Sequence, residues 1–171
     1  AFKGSIVIPE GVTSLGQYAF EKCSGMDGTL SLPSGLETIG NYAFSECSKL
    51  TGGITLPDTL TQLGTYTFNK CSNINGELVL SKNLKNIPQA AFSNCSSMIG
   101  SVDIPEGVQK INANAFQGCS SLNGTLTIPE TVDTIGAYAF DQCSLLTGTL
   151  TIPGKVTNVS NYAFDACSGF D

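Results

Sequence analysis

The chain has 171 residues, a formal charge of −6 and no His, Arg or Trp, so every basic residue is a Lys. That balance opposes nucleic-acid binding, which needs a basic face and usually Arg for phosphates and base edges. The lack of His removes the commonest general base, and no apolar run approaches the length of a membrane span.

The first residues, AFK, already fit a pattern, because Phe2 stands where Met26, Leu50 and Leu146 stand later. No signal-peptide pattern precedes them, so the chain reads as starting inside its pattern, as a fragment or processed form does. From Gly4 onward one 24-residue unit recurs seven times without gain or loss, over 4–27, 28–51, 52–75, 76–99, 100–123, 124–147 and 148–171. Phe recurs from Phe20 to Phe164, Cys three residues after each Phe from Cys23 to Cys167, and a Ser follows every Cys. Self-similarity at such a period predicts a solenoid, in which stacked units share a core that none could bury alone.

Within a unit, numbered from its Gly, places three and five are aliphatic, as in Leu30 and Leu32. This alternation predicts a short strand with one face inward. Place six is Pro in six of seven units and ends the strand for want of an N–H; the fourth unit has Ser81 instead. Places nine and twelve are again apolar, as in Leu36 and Ile39, and predict a second extended piece on another side of the coil. Place thirteen is Gly in four units, then Pro88, Asn112 and Ser160, so either this corner needs no positive φ or the fourth unit differs there.

Ala43, Phe44 and Cys47 then fall on one face of a single helical turn. The stretch is too short to be helical alone. One turn of α or 3₁₀ helix per rung, held by packing, is the expectation. The Ser after Cys is expected to bond a loop backbone group. The fold class that follows is a repeat solenoid, leucine-rich-repeat-like, mainly of short parallel β-strands with one short helical turn per rung. It should be weakly curved and roughly 34 Å long at the spacing of adjacent strands.

The cysteines form a column rather than paired motifs, and no clustered His or Cys predicts a metal site. They are expected to be inward and reduced. Adjacent rungs lie within reach of a disulfide, though an odd number leaves one thiol over. No cofactor is expected. Scattered carboxylates suggest no acid–base pair, and no enzyme is expected.

The pattern L-x-x-G-x-L-x-I-P-x-x-V-x-x-I-G-x-Y-A-F-x-x-C-S resembles BspA-type leucine-rich repeats from Phe2 to Asp171. The unit is one residue longer than is usual there, through the opening Gly, and the fourth unit lacks both the strand-end Pro and the corner Gly. The resemblance implies a solenoid, commonly of large surface or secreted microbial proteins linked to adhesion, and no catalytic residues.

Two surface columns are candidate binding faces. The outward side of the first strand carries Thr29, Ser31, Thr55, Thr125, Thr127, Thr149 and Thr151, with Glu77, Val79 and Asp103 interrupting it mid-rod. Thr also simply suits an exposed strand, and the column lacks the aromatic or Arg anchors of a compact hot spot. A flat Thr array raises ice binding too, against which the interruptions speak. The second column is Tyr18, Tyr42, Tyr66, Tyr138 and Tyr162, with Ala90 and Asn114 filling the other two units. Tyr there either covers the rim of the core or forms an amphipathic contact stripe. Lys82, Lys85 and Lys110 mark a small basic spot or a solvated face.

The expected function is a non-catalytic binding or adhesion module, cell-surface or secreted, for a protein or glycan. The alternative is a structural protein whose solenoids associate head to tail into an extracellular filament, because no polar cap is visible at either end. A segment of a longer surface array is favoured over the filament.

Overall fold

The computed structural model describes residues 3–171, so the place assigned to Phe2 lies outside the described residues. Each unit forms one rung of a parallel β-solenoid. Thirteen strands follow in order: β1 Ile6–Val7, β2 Ser14–Leu15, β3 Leu30–Ser31, β4 Thr38–Ile39, β5 Ile54–Thr55, β6 Gln62–Leu63, β7 Leu78–Val79, β8 Asn86–Ile87, β9 Val102–Asp103, β10 Lys110–Ile111, β11 Leu126–Thr127, β12 Thr134–Ile135 and β13 Asn158–Val159. Pairing is parallel and in register from rung to rung, Ile6 against Leu30 and Ile111 against Ile135. Along a strand the faces alternate, so Ile54 is buried while Thr55 is exposed.

The core is a column. Phe44, Phe68, Phe92, Phe116 and Phe140 are fully buried. From Phe20 to Phe164 the rings stack almost parallel, with neighbouring centroids between 5.1 Å and 5.7 Å apart. Beside them lie the cysteines, inward as expected and all free; Cys23 and Cys167, in the end rungs, are half-buried. Each thiol from Cys47 onward donates to the Phe carbonyl of the preceding rung, from Cys47 Sγ to Phe20 O at 3.0 Å through Cys143 Sγ to Phe116 O at 3.2 Å. That carbonyl also accepts an N–H three residues on, as Phe44 O does from Cys47. Cys at this place therefore fills space and occupies a second lone pair that an alanine would leave open.

The helical turn expected between the second strand and Cys is absent. The backbone turns left-handed twice in every rung, at Tyr42 (φ 56°) and Glu46 (φ 60°) in the second and at equivalent places in the others. The cause is a division of the donors. Tyr42, Phe44 and Glu46 send their N–H groups to Thr65 O, Thr67 O and Asn69 O of the next rung, at 2.8–2.9 Å. Ser45 and Cys47, between and after them, close local turns onto Tyr42 O and Phe44 O. A helix would spend every N–H within the segment. Here half of them stitch rungs together, which offsets the cost of left-handed residues, about 1–2 kcal/mol each.

Place thirteen needs no positive φ: Gly40, Gly64 and Gly136 lie so close to the preceding rung that an added Cβ would fall 2.4–2.6 Å from its backbone. Pro88 fills that place in rung 4, and there the second strand column breaks, into β2-β4-β6 and β8-β10-β12-β13. Asn112 N–H donates to Ile87 O and Ser160 N–H to Ile135 O. Pro88 has no N–H to give Leu63 O, and Lys85 N–H finds no backbone partner in rung 3 among the described residues. The Phe68–Phe92 separation, 5.7 Å, is the longest in the stack, as a wedge opened at this junction requires. Ser81, the rung's other departure, is fully buried and ties the corner back through Oγ to Leu60 O at 2.7 Å.

The first strand column obeys a longer period. Its pairs are β1–β3, β5–β7 and β9–β11, with no pairing between β3 and β5 or between β7 and β9. Rungs 1, 3, 5 and 7 begin with a left-handed Gly, at Gly4, Gly52, Gly100 and Gly148 (φ 80–91°). Rungs 2, 4 and 6 begin with an ordinary one. In rungs 1, 3 and 5 an Asx side chain at the end of the coil holds the Gly amide: Gly4 N–H to Asp27 Oδ1 at 2.6 Å, Gly52 to Asn75 at 2.9 Å, Gly100 to Asn123 at 3.0 Å; in rung 7 Asp171 N–H instead donates to Gly148 O at 3.2 Å. In rungs 2, 4 and 6 the Gly amide donates back to its predecessor, Gly28 to Gly4 O, Gly76 to Gly52 O and Gly124 to Gly100 O. The structural period of this face is two units.

Candidate functional site

The Thr column is exposed as expected: Thr29, Ser31, Thr55, Thr125, Thr127, Thr149 and Thr151 all face solvent. It is not a continuous flat array, because the strand pairs behind it are interrupted at every second junction. That geometry removes the template on which an ice-binding reading rests. Ser5 Oγ meets Thr29 Oγ1 at 3.3 Å and Ser101 Oγ meets Thr125 Oγ1 at 3.4 Å, so hydroxyls pair within a doublet.

The Tyr column occupies the first left-handed place, which points each ring outward beside the Phe stack. Tyr18, Tyr42 and Tyr66 stack at 5.2 Å and 4.8 Å, and Tyr138 stacks on Tyr162 at 5.0 Å. Ala90 and Asn114 separate the two groups. Desolvation, then charge repulsion from the ionisable Tyr66, Tyr18 and Glu21, pushes the Tyr42 hydroxyl above its ordinary range.

Sequence reasoning noted the departures at Ser81 and Pro88 but not what they open. Where the second ladder breaks lies a groove of about 630 Å³ between rungs 3 and 5, lined by Thr61, Gln62, Leu63, Thr65, Leu84, Lys85, Asn86, Pro88, Gln89, Asn112 and Ala113. Leu63 is half-buried, while its counterparts Ile39 and Ile87 are buried. The lining has four carboxamides, two hydroxyls and one ammonium, and no carboxylate. Gln89 Nε2 reaches Tyr66 Oη at 3.1 Å, which joins the groove to the end of the first Tyr stack. Lys82 pairs with Asp58, 2.5 Å off, and of the three lysines only Lys85 lines the groove.

A second groove, about 610 Å³, runs between the row of Ser after Cys and the Lys22, Glu46, Lys70 and Asn94 row. The backbone bond expected of the Ser after Cys is made at Ser120 and Ser168 alone among the described residues, at 3.5 Å to Ser96 O and Ser144 O.

Among the described residues no group of three or more His, Cys, Asp or Glu could hold a metal ion, and no helix is long and apolar enough to cross a membrane. Burial pushes the thiols up, Cys47 and Cys119 to about 12 and Cys167 to about 11, with Cys71, Cys95 and Cys143 raised for the same reason. At neutral pH these are unreactive thiols. In the unfolded chain they ionise near 9.0, so the folded state holds their protons more tightly. That contribution to stability is complete below pH 9 and is lost as pH rises towards about 12. Urea midpoints should fall steeply over this window, and a thiol reagent at pH 8 should leave Cys47, Cys71, Cys95, Cys119 and Cys143 unmodified until denaturant is added. Full labelling without denaturant would overturn the buried-column account.

A family model describing a BspA type leucine-rich repeat region of six copies matches residues 3–123 and 86–171. The chain belongs to the BspA-type leucine-rich-repeat family. A leucine-rich repeat protein of T. pallidum is 30% identical over 89% of this chain and 71% of that one, with a TM-score of 0.76. One from Eubacterium ventriosum is 24% identical over 97% of this chain and 43% of that one, at a TM-score of 0.75, and shares the fold. A leucine rich cell surface protein of Faecalibacterium prausnitzii is 26% identical over 83% of this chain and 46% of that one, at a TM-score of 0.64. This BspA-type chain thus spans less than half the length of two of these three structures. No curated protein matches it.

Proposed function

We propose that this BspA-type solenoid is a non-catalytic binding module of a cell-surface or secreted protein, and that its ligand is a glycan lying in the groove across rungs 3 to 5. The observation that carries this reading is the broken second ladder, which turns a closed sheet face into a polar groove. Carboxamides such as Gln62, Asn86 and Gln89 both donate and accept, which suits vicinal hydroxyls. The lining holds no Arg and no ring to anchor a protein hot spot, which favours a sugar over a protein. Lys85 is the one charged side chain of the lining, which holds no carboxylate, and this favours saccharides bearing a carboxylate. The surface assignment draws on the cell-surface relative from Faecalibacterium prausnitzii. In this reading the Thr and Tyr columns flank the site, and Tyr66 stands at its edge.

A glycan array followed by titration calorimetry tests this. The expected result is binding of acidic oligosaccharides that weakens about tenfold in Gln89→Ala and Lys85→Gln, as loss of one to two hydrogen bonds predicts. Thr151→Ala, at the far end of the other face, should leave it unchanged. Retention of binding in the Gln89/Lys85 double variant would move the site elsewhere, and an array with no bound saccharide would sink the glycan reading.

A further inference from the structure

We propose that the ligand of the groove is a linear oligosaccharide lying along the rod, with its acidic residue at rungs 4 and 5 and its neutral residues in a second hollow over rungs 1 to 3. The inference rests on the glycan reading and adds to it the length and direction of the chain.

The second hollow, about 350 Å³, lies at the same corner of the coil as the groove. The two share Gln62 and Leu63, so together they form one trough from rung 1 to rung 5. Its halves differ in chemistry. The groove holds the Lys85 ammonium. The hollow over rungs 1 to 3 is lined by no charged side chain, and its polar side chains are hydroxyls and carboxamides. A saccharide with one acidic residue matches this asymmetry. A polyacid does not, because its further carboxylates would enter the uncharged half and lose water there without a counter-charge.

The polar groups of the hollow are held ready for hydroxyls. Asn41 Oδ1 accepts from Thr65 N–H at 2.9 Å, which fixes the carboxamide and leaves Nδ2 to donate. Thr38 Oγ1 donates to Ser14 Oγ at 2.6 Å, which leaves the Ser14 hydrogen to donate and the Thr38 oxygen to accept. Gln17 and Gln62 are exposed, and each carboxamide both donates and accepts. Leu63 stands at the join of the two halves, at the edge of the broken ladder, and is half-buried where Ile39 and Ile87 are buried. An apolar side chain between carboxamides suits a pyranose ring: the C–H face covers Leu63, and the hydroxyl edge meets Gln62. Leu63 therefore seats the sugar that links the acidic end of the chain to the neutral one.

The test takes an acidic disaccharide and homologues lengthened by neutral sugars at the end away from the acid, and compares them by titration calorimetry on the whole chain. Affinity should rise about tenfold with length, as one or two added hydrogen bonds predict. Gln17→Ala and Thr38→Val should remove about three- to tenfold from the long chain and leave the disaccharide unchanged. Gln17 is exposed and Val suits a strand, so both variants should fold. Lys85→Gln should weaken long and short chains alike. Equal affinity at every length, or an equal loss for long and short chains in Gln17→Ala, would overturn the second hollow and leave the glycan reading standing. A polyacid that binds more tightly than the singly acidic chain of the same length would overturn the direction. No binding at any length would remove this proposal together with the glycan reading.

Discussion

Phe68→Ala should destabilise the rod by about 3–5 kcal/mol, the usual cost of emptying a fully packed aromatic site. Phe68 is fully buried, with its ring between Phe44 at 5.2 Å and Phe92 at 5.7 Å. Its backbone bonds survive the substitution: the N–H still meets Ala91 O, and the carbonyl still accepts from Cys71 N–H and Cys95 Sγ. The loss is therefore one of packing, including two stacked contacts worth about 0.5–1.5 kcal/mol each. The void resists closing, because one strand ladder and the bonds of the left-handed turns hold rung 3 to each neighbour, β4 to β6 on one side and β5 to β7 on the other. Stability in a solenoid is a sum over neighbours, so rungs 2 and 4 should loosen with rung 3. Phe164→Ala, in the half-buried end rung, should cost clearly less. Urea unfolding of the two variants gives the comparison; equal midpoints would mean that the Phe column is not the core.

The period, the inward places and the side of each strand that meets solvent were legible because they are properties of one unit. Ile54 and Thr55 alternate whatever their neighbours do. What the sequence reading missed lies between units. The spacing of Ala43, Phe44 and Cys47 is equally good for a helical turn and for two left-handed turns. The choice is made by the carbonyls of Thr65, Thr67 and Asn69 in the next rung, which a single unit does not contain. The two-unit period did leave a mark: Asp27, Asn75, Asn123 and Asp171 close alternate units, where Thr51, Ile99 and Thr147 close the others. Aligned at 24 residues, that column reads as variation between polar and apolar residues; aligned at 48, its Asp27, Asn75 and Asn123 read as a clasp for the Gly amide. Pro88 was legible as a departure from the corner Gly. That it opens a groove depends on the carbonyl of Leu63 in the rung before, which Pro88 has no N–H to meet.

Gly76→Ala should cost about 4 kcal/mol or more and should split the doublet of rungs 3 and 4. A Cβ at Gly76 would lie 2.4 Å from Gly53 N and 2.7 Å from Gly53 Cα, both backbone atoms that no rotamer can move. The two strands must separate, which breaks Gly76 N–H to Gly52 O at 3.0 Å together with Ile54 to Glu77 O and Leu56 to Val79 O at 2.9 Å. Three such bonds contribute about 1 kcal/mol each, and the overpacking adds about 1–3 kcal/mol. The damage falls where it is least tolerable, because the second ladder is already open between the same rungs. The left-handed turns, the Phe stack and side-chain ties such as Ser81 Oγ to Leu60 O would still join rung 3 to rung 4. Gly148→Ala is the contrast. Its Cβ would meet only Thr125 Cγ2, at 3.5 Å, so it bears just the strain of a left-handed Ala, about 1–2 kcal/mol. Two glycines at the same place of the repeat should therefore differ by about 2 kcal/mol or more, on the sums above. Exchange at the Ile54 and Leu56 amides should rise in Gly76→Ala alone. A Gly76→Ala chain as stable as Gly148→Ala, with those amides still protected, would show that the opening glycines are equivalent and that the solenoid has a one-unit period after all.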